Sequence, residues 1–128
     1  MLREFLRDAK HGQGEMDSRE FVEVITRVVR DDAIAGTLSI LQQPPGRLPG
    51  EVTANSAWYH SLDEGQRARV SSIVRTAVDQ AVFGFLCVLD GVRAIEDGET
   101  KGYLELRHIK EKASVLNPMD GPMLHDIY

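Results

Sequence analysis

Asp79 and Asp90 are the residues of this sequence whose type and spacing come nearest to a reactive pair. Eleven residues is close to three helical turns, so on one helix the two carboxylates share an azimuth. Two acids on one face can hold a divalent cation or divide acid and base roles. The rise between them, about 16 Å, keeps them from sharing one site unaided. Arg75 stands one turn before Asp79 and offers an ion pair at i−4, so the expected role for Asp79 is structural. Glu20 and Glu23 form a second acidic pair, with Asp31-Asp32 two turns on. Holding Mg²⁺ with such pairs needs a second pair on a facing helix, and the long helix offers only Asp79 in its core half. Neither a metal nor another cofactor is expected, and no catalytic residue is assigned.

The remaining reactive side chains point the same way. His11, His60, His108 and His125 stand at neither the i, i+4 nor the His-x-His spacing of a zinc site. His125 and Asp126 are sequence neighbours, which normally point apart. Cys87 is the single cysteine and lies in an apolar run, where a thiol acts as a small buried hydrophobe. Ser61, Ser71 and Ser72 lack the strand–turn–helix setting of a nucleophile, and no glycine-rich phosphate loop occurs. The balance is against an enzyme, although a small-molecule or metal-dependent enzyme using the helix carboxylates stays as an alternative.

Binding is the better-supported class. Trp58, Tyr59 and His60 follow a proline-rich loop and, with Tyr128 at the other end, are the candidate partner contacts, since aromatics near loops often anchor interfaces. A hydrophobic staple at a helix entry competes for the same aromatics. The 15 Lys/Arg and 20 Asp/Glu leave a net charge of −5. Residues 1–60 hold seven basic against nine acidic residues and residues 61–128 hold eight against eleven, so both halves are acidic. Such a surface repels phosphate backbones, which argues against nucleic acid and for another protein, basic in character, or a second copy of the chain. The longest unbroken apolar run, 81–89, falls short of the ~20 residues of a membrane span, and residues 1–8 mix charge with apolar groups unlike a signal sequence. No membrane association is expected, and the expected compartment is the cytoplasm.

The elements that position these residues are mostly helices. Leu2, Phe5, Leu6 and Ala9 suggest a short first helix. Asp17 with Glu20 has the form of a helix start, and Phe21, Val22, Ile25, Val28 and Val29 form one stripe facing a core. A further helix is expected to open at Asp31-Asp32, turning Ile34, Leu38 and Leu41 inward. Residues 1–43 thus hold the N-terminal helices, and 44–55, with Pro44, Pro45 and Pro49, a loop. Asn55-Ser56 can cap a turn carrying Trp58. Ser61 with Glu64 has the form of a capping box for a long helix over about 62–90, apolar all round in its second half, with Gly84 read as a close approach. Residues 101–116 alternate as a hairpin with its turn at 110–112, and 123–128 form a last helical turn. The expected fold is one mainly α domain over 1–128, a helical bundle around one long buried helix with a small C-terminal β-hairpin.

Trp58-Tyr59, Ala77-Val78-Asp79, Phe83, Phe85-Leu86, Val88-Leu89-Asp90-Gly91 and Leu124-His125-Asp126 together resemble small bacterial helical proteins of uncharacterised function. The likeness covers about the C-terminal half and rests mainly on core residues. It implies a bacterial source and no assigned activity.

Overall fold

Asp17 opens the first helix of the computed structural model, which describes residues 14–43 and 50–128. The first helix expected from Leu2 to Ala9, His11 and the prolines of the loop lie outside those residues. The Asp17 carboxylate accepts the Glu20 amide at 2.8 Å, satisfying one of the N–H groups that a helix start leaves bare. Helix α1, Ser18–Ile25, continues through a π-helical segment, Thr26–Asp31, into α2, Asp32–Gln42. The α-helix expected to open at Asp31-Asp32 does begin at Asp32, but as a continuation of the π segment and not after a break. Asp31 keeps helical angles, φ −67° and ψ −39°, and the ladder widens instead of breaking. A π turn takes in extra residues, so the α-helical phase slips across it. The slip takes Val28 and Val29 out of the expected stripe. Val22 is 2% exposed, whereas Val28 and Val29 are 47% and 45% exposed.

Contacts divide the chain into two compact units. Met1–Val24 with Gly84–Tyr128 forms the first, and Ile25–Phe83 forms the second. In the second unit α2 packs on α3, Gly50–Ser61. Helix α3 starts at Gly50, so Asn55-Ser56 lies within it and caps no turn. Ser56 is fully buried, and its hydroxyl reaches the carbonyl oxygens of Leu41 at 3.0 Å and Gln43 at 2.5 Å. A side chain this small lets the helices approach, and its hydroxyl occupies carbonyls that the end of α2 leaves open. Ile34 and Tyr59 are buried here too.

The long helix α4, Glu64–Leu89, begins two residues later than the expected capping box implies. Asp63 and Gln66 form the box: the Gln66 amide donates to Asp63 Oδ1 at 2.8 Å, and the Asp63 amide to Gln66 Oε1 at 3.0 Å. Ser61 is the last residue of α3, and its hydroxyl donates to the Trp58 carbonyl. Arg67 reaches back to the carbonyl oxygens of Tyr59 and His60 at 3.2 and 2.9 Å, with its guanidinium 5.4 Å from the Tyr59 ring centre.

In the first unit α4 ends in a left-handed glycine. Gly91, at φ 75°, donates to Val88 O and Val92 to Cys87 O, the paired closure that leaves two fewer carbonyls open. Leu86, Cys87, Leu116 and Leu124 are buried. The Arg93 guanidinium occupies the space a Cβ on Gly84 would need, which is the close approach expected there. Strands β1, Arg107–Ile109, and β2, Ala113–Val115, pair antiparallel with His108 opposite Ser114. Helix α5, Leu124–Ile127, ends the chain's described elements.

Helix accounts for 61% of the described residues, joined by this one hairpin: the mainly helical class the sequence predicts, with α4 as the long helix. The helix is less covered than its composition suggests. Ile73 and Phe85 are each 62% exposed, and only 22% of an apolar 18-residue stretch of α4 is buried. By length and composition alone α4 is long and apolar enough to cross a membrane, with mean hydropathy 1.5 over that stretch. An expectation built on the unbroken run 81–89 overlooked this, because Arg75 and Asp79 interrupt an otherwise apolar sequence.

Candidate functional site

Trp58, Tyr59 and His60 occupy successive positions near the end of α3, so about 100° separates each from the next. The structure therefore parts them. Tyr59 is 5% exposed and lies beneath Arg67, whereas Trp58 is 55% exposed and His60 is exposed. Tyr59 belongs to the core of the second unit and is not a surface contact. His60 Nε2 lies 3.3 Å from the Gln43 carbonyl oxygen. Trp58 is thus left as a large apolar side chain on a turn held from within by Tyr59, Ser56 and Arg67. Rigid backing is what an aromatic anchor needs, because little freedom then remains to be lost on binding.

The second candidate is built at the other end of α4. Asp90 follows the helix, and its carboxylate, 2% exposed, accepts the Leu124 amide at 3.0 Å, the His125 amide at 2.8 Å and His125 Nδ1 at 2.6 Å. A carboxylate accepts only, so Nδ1 carries the proton. His125 Nε2 lies 3.3 Å from Asp126 Oδ1. The expectation that these neighbours point apart is corrected here: the ring's two nitrogens face opposite ways, and one imidazole meets both acids. Asn117 completes the arrangement. Its amide group donates to the Leu89 and Leu104 carbonyls at 2.7 and 2.9 Å, while its oxygen accepts the Leu106 amide at 2.8 Å. Ser18 Oγ, from α1, donates to the Leu116 carbonyl at 2.6 Å. Tyr128, the fourth expected contact, is half-buried and donates its amide to Leu124 O.

Asp79 is held by Arg30, not by Arg75. Arg30 Nε donates to Asp79 Oδ1 at 2.8 Å and Nη2 to Oδ2 at 3.4 Å, while Nη1 donates to Asp31 Oδ1 at 2.7 Å. Hydrogen bonds to Asp79 and then Asp31 raise the Arg30 pKa above its already high ordinary value. Sequence spacing favoured Arg75 because it is local. The π segment brings a cation from 49 positions away, which no local pattern reports.

The chain matches no family model, no curated protein and no solved structure. The site geometry therefore stands by itself. Among the described residues no three His, Cys, Asp or Glu side chains are grouped to hold a metal ion. Glu20 lies in the first turn of α1 and Glu23 is exposed. Gly14–Ser18, the turn 110–112, Ser114, Val115 and Pro118 line an open cleft of about 920 Å³ in the first unit, with charges of both signs. Sequence reasoning missed Asn117 and the partnership of Asp90 with 124–125. Asn-Pro is a common turn pair, and nothing local marks the three distant bonds of Asn117.

Proposed function

We propose that this chain is a protein-binding module of the immunity or adaptor kind, cytoplasmic, working through its surface without turnover. The observation that carries the reading is Trp58, a half-exposed indole on a helix whose inner face is fixed. Interface energy concentrates in such anchors, with tryptophan the most enriched. The acids that might have argued for an enzyme have structural partners: Asp79 lies on Arg30 and Asp90 on the C-terminal helix. The charge is also uneven between the units. The first carries nine Lys/Arg and fourteen Asp/Glu, the second six of each. All of the net charge thus falls in the first unit, although halves cut at residue 60 are both acidic. A partner with a basic face meets its match there, while Trp58 lies in the electrically neutral unit.

The test is capture of the full tagged chain from its native lysate, followed by calorimetry of the purified partner against Trp58→Ala. Trp58→Ala is expected to weaken binding at least about thirtyfold, a hot-spot loss of about 2 kcal/mol, with unchanged thermal stability. Binding that ignores the substitution would overturn the role of Trp58. A chain that brings down nothing and turns over a metabolite would overturn the binding-module reading. Association of the chain with itself is the second reading, favoured by the 62% exposure of Ile73 and Phe85 on α4. Light scattering across a dilution series decides it.

A further inference from the structure

We draw no further inference here: the strongest candidate, the exposed apolar surface of α4 around Ile73 and Phe85, each 62% exposed, carries nothing because nothing in the structure shows what covers it.

Discussion

The two units reach order by different means. The second is held by helix on helix: Ser56 lets α2 and α3 close together, Tyr59 fills the space beneath, and Arg67 caps the end of α3. Among its described residues the first holds α1, the end of α4, the short hairpin and α5, joined by long stretches of irregular chain. It relies on polar side chains that reach backbone groups far away in sequence, namely Asp90, Asn117, Ser18 and Ser114. Irregular chain leaves backbone groups without ladder partners, and a buried one must find a side chain or lose free energy. Where periodicity stops organising the backbone, individual Asp, Asn and Ser residues take over.

That contrast predicts where substitution hurts. The largest effect is expected for Asp90→Ala, which strips three donors of a buried acceptor. About 3 kcal/mol should be lost in urea unfolding, and the urea midpoint should fall accordingly. A loss below half of that would mean the Leu124 and His125 amides find other partners, and the clasp would matter less than its geometry implies. A middling effect belongs to the second unit: Asp63→Ala should cost about 1 kcal/mol, as lost helix caps do, while Ser61→Ala stays within about 0.5 kcal/mol. Reversed costs would restore Ser61 and Glu64 as the capping box. The smallest effect is expected for Asp79→Asn. Its pair with Arg30 is partly solvated, with side chains 42% and 26% exposed, so its contribution is small and shrinks further in high salt. A salt-independent loss would show the pair to be shielded from water.

The sequence was most informative where contacts are local. Asp17 with Glu20, the hairpin turn at 110–112 and the buried Cys87 all follow from spacing within one or two turns. Errors arose where an offset of one or two residues changes the outcome. Ser61 with Glu64 and Asp63 with Gln66 are both acceptable capping boxes, and the deciding fact is that α3 extends to Ser61. The stripe from Phe21 to Val29 assumed a constant period, and the π segment broke it. Less of the candidate site was legible. Trp58 was named as a contact and is exposed, but Tyr59 proved to be core, because burial of an aromatic depends on which helix lies opposite. The clasp at Asp90 joins residues 34 and 35 positions apart, and Asn117 joins Leu89 from 28 positions away. Sequence periodicity carries no signal at such separations.

The central claim is that the acid best placed for chemistry, Asp90, instead builds the first unit. Hydrogen exchange compared between the native chain and Asp90→Asn tests it most directly. Faster exchange is expected at 117–128, with α3 unchanged, because the substitution replaces one acceptor oxygen by a donor facing other donors. Native protection at Leu124 and His125 in Asp90→Asn would contradict the claim and return Asp90 to the residues available for chemistry.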